Sequence, residues 1–218
     1  MDILDLQLVT TALPQQLDFY TRVFGLPTLV ATPETMSLQV GTSRLTFRQA
    51  SAPLPGSYHF AFNIPENQFA EAKTWLSRRV ALLSDSTGAD EFYSEDWDAH
   101  NLYFYDPAGN IGELIARHSL SNATTQPFRA RSLLNISEIG IAAEDVPGQV
   151  AEIQARTGAP IYRGPGSPTF TPVGDEQGLL IVVQRGRIWF PETGKPAEHL
   201  PVTVVAANGV QPITLHFD

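Results

Sequence analysis

A pattern that occurs three times along the chain constrains its fold more than any other feature. Each time, a segment with strand-like alternation of apolar residues is followed by a proline and then by an amphipathic helical pattern. The alternating segments are 3–10, 59–64 and 136–143, and the prolines are Pro14, Pro65 and Pro147. Proline is favoured in the first turn of a helix, because the amide hydrogen that it lacks would have no partner there. The repeat therefore predicts a fold built from several similar strand–helix units.

Short β-like segments follow each predicted helix. After the first helix they are 28–32, 37–40 and 44–48, and after the second they are 102–105 and 111–117, preceded by a long polar loop at 84–100. After the third they are 161–162, 169–173 and 179–184, and a last pair without a preceding helix covers 202–206 and 212–217. The first unit thus follows the order βαβββ, and the second does so with one strand unassigned.

These units define the predicted architecture. Strands joined by short turns are antiparallel, whereas two strands joined through a helix can be parallel. We therefore predict an α+β protein with curved mixed sheets. Residues 1–118 would form a paired βαβββ domain, residues 119–130 a polar linker, and residues 131–218 a degenerate third unit with a C-terminal hairpin.

Composition limits the classes of function. The chain has 218 residues with 43% hydrophobic residues, which is enough for a buried core, and its formal net charge is −9. Such an acidic chain is a poor binder of nucleic acid or of anionic membranes. The absence of cysteine excludes disulfides and thiolate metal sites. The N-terminus lacks the pattern of a signal peptide and no apolar segment is long enough to span a bilayer, so we expect a cytoplasmic protein.

The alternation of side chains separates two faces of each predicted sheet. Along the strands at 3–10, 59–64 and 111–117, one face is apolar throughout and suits packing against helices. The other face mixes polar, small and aromatic side chains, which is typical of a pocket wall when the sheet curves. Asp5, His59 and Glu113 all fall on this second face.

Three segments carry a resemblance to a known family. Residues 17–26, with the sequence LDFYTRVFGL, resemble the first helix of the vicinal-oxygen-chelate superfamily, which includes glyoxalases, bleomycin-resistance proteins and ring-cleaving dioxygenases. Residues 59–62 resemble its fifth strand, and residues 103–114 its closing hairpin. The resemblance implies βαβββ modules that pair around a cup, with one divalent metal ion held by side chains from the first, fifth and last strands.

Carried over by position, the resemblance assigns three metal ligands. His59 is the ligand of the fifth strand and Glu113 that of the last strand, while Asp5 stands where the family has histidine or glutamine. An aspartate can bind a hard divalent cation through oxygen, and the metal would be Mn, Fe, Zn or Ni. Gln7 lies on the same face as Asp5 and could replace it if the register differs.

The remaining candidate residues lie near the expected mouth of the cup. We assign His100 and Tyr103 to catalysis, since histidine titrates near neutral pH and the tyrosine falls on the pocket face. We assign contacts with the substrate to Gln7, Trp97 and Tyr105.

Two functions follow as alternatives. The first is a metal-dependent enzyme, a glyoxalase-like lyase or a dioxygenase-like protein, acting on a small oxygenated metabolite. The dioxygenase signature has a histidine separated from Leu102 by five to seven intervening residues, and this chain has Ser-Glu-Asp at those positions, 94–96. The second is a metal-free protein that binds a small molecule or drug in the cup. The third unit either covers a sheet edge or supplies the interface of a homodimer.

Overall fold

The first unit has the predicted order of elements. The computed structural model describes residues 1–209 and 211–217; Val210 and Asp218, which belong to the predicted third unit, lie outside the described residues. The elements of the first unit are β1 (Asp2–Thr10), α1 (Leu13–Asp18), β2 (Thr28–Ala31), β3 (Thr35–Val40) and β4 (Ser43–Gln49). A wider π-helical turn at Phe19–Val23 continues α1, and Gly25 ends it in the left-handed region at φ 80°.

The second unit repeats this order. Its elements are β5 (His59–Ile64), α2 (Phe69–Ser77), β6 (Phe92–Ser94), β7 (Ala99–Tyr105) and β8 (Ile111–Arg117). The strand that the sequence left unassigned is β6, which has only three residues within the polar loop. In both units the first strand runs parallel to the last one, β1 beside β4 and β5 beside β8, as expected for a helical crossover.

The third unit is shorter by one strand. Its elements are β9 (Asn135–Ala143), α3 (Val146–Thr157), β10 (Phe170–Asp175) and β11 (Gly178–Gln184), and β12 (Val202–Ala207) and β13 (Ile213–Phe217) follow. The predicted strand at 161–162 is reduced to one bridge between Ile161 and Val173. Residues 118–129 contain no regular helix or strand.

The pairing of the units differs from the expectation that the first and second units pair with each other. The first strand of the second unit, β5, pairs antiparallel with β9 of the third unit, whereas β1 pairs antiparallel with β12. One bridge, between Ile3 and Ile136, connects β1 to β9. The strands therefore form two halves, β2-β3-β4-β1-β12-β13 and β6-β7-β8-β5-β9-β11-β10.

Alternation along the strands places the core largely as predicted. Leu6, Leu8, Phe60, Phe62 and Leu114 are all fully buried in one cluster with apolar residues of the helices. Leu4 is the exception and is half-buried, because the register of β1 shifts between Ile3 and Asp5 and turns the strand locally. Among the described residues, no helix has the length and apolar character needed to cross a membrane.

Candidate functional site

A cavity of about 390 Å³ lies in the half formed by the second and third units. This volume falls within the usual range of small-molecule sites. Its lining combines a few polar side chains with many aromatic ones: His59, Phe92, Tyr93, Ser94, Trp97, Asn101, Tyr103, Glu113, Glu138, Phe170, Ile181, Arg187, Ile188, Trp189 and Phe190. We call this cavity the cup. Its floor consists of His59, Glu113 and Glu138, which line the cavity, and of the fully buried Arg117, which pairs with Glu138.

Two residues of the floor come from neighbouring parallel strands. His59 begins β5 and Glu113 lies on β8, beside Ala61 in the register. The Nε2 atom of His59 lies 2.9 Å from Oε2 of Glu113, and the two side chains are only 12% and 3% exposed. The hydrogen bond between them is therefore shielded from water, and it fixes the orientation of the imidazole ring.

The other two residues of the floor form a buried ion pair. Glu138 on β9 accepts a hydrogen bond from the guanidinium of Arg117 on β8, and Arg117 is 0% exposed. Arg117 also donates to Ser137 Oγ at 3.2 Å. Burial raises the pKa of Glu138 from 4.5 to about 7, while the neighbouring Arg117 acts in the opposite direction.

Aromatic rings form the walls of the cup. The rings of Trp189 and Tyr103 lie 5.1 Å and 6.0 Å from the His59 ring, and Phe190 packs edge-on against Tyr103 at 5.4 Å. Trp189 can approach because Gly140 lies beneath it: a Cβ atom there would be 2.4 Å from the indole ring. Burial and the Glu113 carboxylate raise the pKa of Tyr103, so its phenol stays protonated.

Several buried polar atoms at the cup have no hydrogen-bond partner among the described residues. They are Trp189 Nε1, Asn101 Oδ1 and Arg117 Nη1. Leaving such groups unpaired in a protein interior costs roughly 1–3 kcal/mol each.

The structure brings four of the predicted site residues together. His59 and Glu113 lie in the floor, and Tyr103 and Trp97 lie in the walls. His59, Tyr103 and Glu113 lie together because their strands pair with one another in the second unit, whereas Trp97 reaches the cup from the turn between β6 and β7.

Asp5 and Gln7 are not at the cup. Asp5 is 3% exposed and accepts hydrogen bonds from Arg44 Nη2 at 2.6 Å and Gln7 Nε2 at 2.9 Å. Both lie on β1, whose neighbours are β4 and β12. The predicted ligand set of Asp5, His59 and Glu113 is therefore not assembled, because β9 rather than β1 pairs with β5.

His100 and Tyr105 also lie away from the lining. His100 packs on Phe69 of α2, and its Nδ1 atom lies 2.7 Å from His118 Nε2. Burial lowers the pKa of His100, and the neighbouring His118 lowers it further. Tyr105 stacks against the Lys195 ammonium group at 4.9 Å. The catalytic assignment of His100 and the substrate assignment of Tyr105 therefore find no support in the geometry.

Sequence reasoning did not assign Glu138 or Trp189 to the site, and it considered Arg117 only as a residue for an anionic group of a substrate. One signal was present, since Glu138 precedes Pro147 by the nine residues that separate Asp5 from Pro14. Nothing comparable marks Trp189, which lies outside the predicted strands in the segment between β11 and β12.

The floor does not fit a divalent metal as it is arranged. Glu113 is bound to His59 and Glu138 is bound to Arg117, so each carboxylate already has a partner within the protein. Across residues 1–209 and 211–217, no group of three or more His, Cys, Asp or Glu side chains is placed to hold a metal ion. The arginine also puts a fixed positive charge where a cation would have to bind.

The second and third units pair through their first strands, and the half that they form contains a cavity with a polar floor and aromatic walls, of the size of known small-molecule sites. No family model matches the sequence, and neither does any curated protein.

Solved structures do match this chain. A proposed dioxygenase from Bacillus subtilis aligns with a TM-score of 0.61 over 84% of this chain and 63% of its own, at 16% identity. Glyoxalase I from Zea mays aligns with a TM-score of 0.56 over 84% of this chain and 66% of its own, also at 16% identity. A glyoxalase/bleomycin resistance protein/dioxygenase from Nocardioides gives 0.44 over 58% and 89%, at 19% identity.

These similarities establish the fold. The chain has the fold of the vicinal-oxygen-chelate superfamily, and the resemblance predicted from its sequence is confirmed at that level. Because a shared fold does not define an activity, the function has to be argued from the cup itself.

Proposed function

We propose that the cup binds a small organic molecule with a flat conjugated group, and that it does so without a resident metal ion. The observation that carries the proposal is the set of aromatic walls around a cavity of about 390 Å³ with a polar floor. Aromatic rings favour flat partners through stacked and edge-to-face contacts, worth about 0.5–1.5 kcal/mol beyond burial.

The floor supplies the polar half of recognition. His59 and Glu113 of the floor line the cup with an imidazole and a carboxylate, and Asn101 adds a side-chain amide to the lining. We therefore expect a ligand with a hydrogen-bond donor and an acceptor near its ring, such as a phenol, an aromatic acid or an aromatic amide.

A titration of chelator-treated protein tests this proposal. Phenols, aromatic acids and aromatic amides are titrated beside aliphatic analogues of the same size, and binding is followed by ligand-observed NMR and tryptophan fluorescence. We expect aromatic members to bind in the presence of chelator. Trp189→Ala should weaken that binding by about tenfold or more, because the apolar contact and the ring–ring contact of the indole are lost together.

The chain offers a matched control for this titration. Trp75 packs between Phe24 and Phe128, at 5.3 Å and 5.5 Å, and does not line the cup. Trp75→Phe should leave the affinity unchanged. If no aromatic compound binds, or if both substitutions weaken binding equally, the proposal is wrong.

A second candidate function is a proton-transfer enzyme of the lyase or isomerase type. It is favoured by Glu138, whose raised pKa of about 7 suits a carboxyl group that accepts and returns a proton near neutral pH. For any bound compound with an acidic C–H, the protein should catalyse exchange of that hydrogen with D₂O. Glu138→Gln should abolish the exchange and retain binding; exchange at the original rate would reject this role.

A further inference from the structure

Two acidic residues occupy corresponding places in different units. Asp5 lies on the first strand of the first unit and Glu138 on the first strand of the third unit, each nine residues before the proline of its helix. Each carboxylate is paired with an arginine on the last strand of a unit, Asp5 with Arg44 on β4 and Glu138 with Arg117 on β8. In both units, therefore, the buried carboxylate at this position is paired with a guanidinium group.

The side chains around Arg117 suit a planar cation. Its guanidinium lies 5.5 Å from the Trp97 ring and 5.9 Å from the Tyr162 ring, and it donates to Glu138 and to Ser137. Aromatic faces and hydrogen bonds on several sides hold arginine in one orientation and partly replace its lost hydration. Arg117 is fully buried, so bulk water does not screen its charge.

Both carboxylates of the floor have a partner without an added ion. Glu138 is paired with the permanent positive charge of Arg117, and Glu113 is hydrogen-bonded to His59. A divalent cation would add two positive charges beside Arg117, where like charges repel strongly in the low effective dielectric of a buried site.

We propose that Arg117 supplies the positive charge that a metal ion would otherwise supply beside the carboxylates of the cup, and that it thereby prevents divalent cations from binding to the floor. Without Arg117, the side chain of Glu138 would lose its ion-pair partner and be free to turn toward His59 and Glu113, so that one nitrogen and two carboxylate donors would face a single cavity. The inference is independent of which organic ligand the cup binds, because it concerns the affinity of the floor for metal alone.

Cobalt titration of the full chain tests this inference. Co²⁺ is added to chelator-treated protein at a pH above the pKa of Glu138, and binding is read from visible ligand-field absorption and from the shift in melting temperature. Wild type should give neither signal. Arg117→Met should bind one equivalent at least about 100-fold more tightly than wild type, since the repelling charge is gone and two carboxylates are left in excess.

Three further variants keep the test decisive. Arg117→Lys retains the positive charge and should therefore not bind Co²⁺. Arg117→Gln is neutral but keeps a hydrogen-bond donor for Glu138, so it should bind Co²⁺ even if the methionine variant does not fold. The double variant Arg117→Met/Glu138→Gln lacks one donor and should lose the site.

Two results would overturn the inference. One is a wild-type protein that binds one equivalent of Co²⁺ and loses it on His59→Ala, because the floor would then hold a metal with Arg117 in place. The other is a folded Arg117→Gln variant that binds no Co²⁺. The first result would also contradict the metal-free part of the proposed function, whereas neither result bears on the titration with aromatic compounds, which tests the walls of the cup.

Discussion

At the scale of single residues, the site depends on how buried charges are paired. Arg117 and Glu138 are both almost inaccessible to water, and each would be costly to bury without the other. Removing one member of such a pair typically costs about 3–5 kcal/mol, because the remaining charge has no partner. The pair therefore holds both side chains in one arrangement beneath the cup.

Glu138 gives the stability of the protein a defined pH dependence. Because its pKa is raised from 4.5 to about 7 in the folded state, the folded protein binds more protons than the unfolded chain within that interval. The contribution of Glu138 to the free energy of unfolding is therefore fully present at low pH and is lost as pH rises through about 7. Urea unfolding at several pH values measures this contribution, with Glu138→Gln as the reference protein. The free energy of unfolding of the wild type, relative to that of Glu138→Gln, should fall as the pH rises across this interval. A difference that stays constant with pH would contradict the raised pKa of Glu138.

Gly140 leaves the space that Trp189 occupies. A Cβ atom at this position would lie 2.4 Å from the indole, so Gly140→Ala should displace Trp189, cost about 1–3 kcal/mol and shift tryptophan emission to the red. Gly112→Ala is a matched control, because its Cβ would meet Phe104 in the core at 2.3 Å. The control should destabilise the protein without changing ligand binding, and equal effects on binding would refute the role of Gly140.

At the scale of elements, one buried carboxylate joins the first helix to the hairpin between β7 and β8. Asp106 accepts hydrogen bonds from Gln16 Nε2 at 2.6 Å, Tyr20 Oη at 3.2 Å and Asn110 Nδ2 at 2.8 Å. Backbone amides of Ala108 and Asn110 donate to its other oxygen. This network fixes α1 against the second unit, and so connects the two halves of the molecule.

Loss of Asp106 should therefore destabilise the whole fold. Asp106→Ala leaves three buried polar side chains without their acceptor, and we predict a loss of about 3 kcal/mol or more in the free energy of unfolding. Chemical denaturation measures this loss. Asp18→Ala serves as the comparison, since Asp18 is exposed and pairs only with Arg22 across one helical turn, and it should change stability by less than about 0.5 kcal/mol.

At the scale of the whole molecule, the cup exists because the second and third units pair. The antiparallel contact of β5 with β9 places Glu138 beside His59 and Glu113, and the segment after β11 brings Trp189 over them. The first unit takes a different partner, the hairpin of β12 and β13. Each half thus completes its sheet with strands that come from the C-terminal part of the chain.

This arrangement predicts that residues 1–118 do not fold alone. In that fragment, β1 would lose β12 and β5 would lose β9, which leaves two unpaired strand edges and open apolar surface. We expect a fragment without cooperative thermal unfolding that aggregates in size-exclusion chromatography. A monomeric fragment with a cooperative transition would instead support the pairing of the first two units that the sequence suggested.

The sequence by itself determined the elements and the faces of the strands. Alternation and proline position depend on local geometry, which is why β5, β7 and β8 were predicted at or near their observed bounds, and why His59, Tyr103 and Glu113 were correctly placed on one face. Trp97 was placed near the cup from its loop alone. The short strand β6 was missed, because three residues are too few to show a period.

Only the tertiary structure decided which units meet. β1, β5 and β9 have similar patterns, and the backbone edges through which they pair carry no sequence signal of their own. The choice of β9 over β1 as the neighbour of β5 depends on packing between residues far apart in the chain. That choice put Glu138 rather than Asp5 in the floor, brought it to Arg117, and so decided the chemistry of the site.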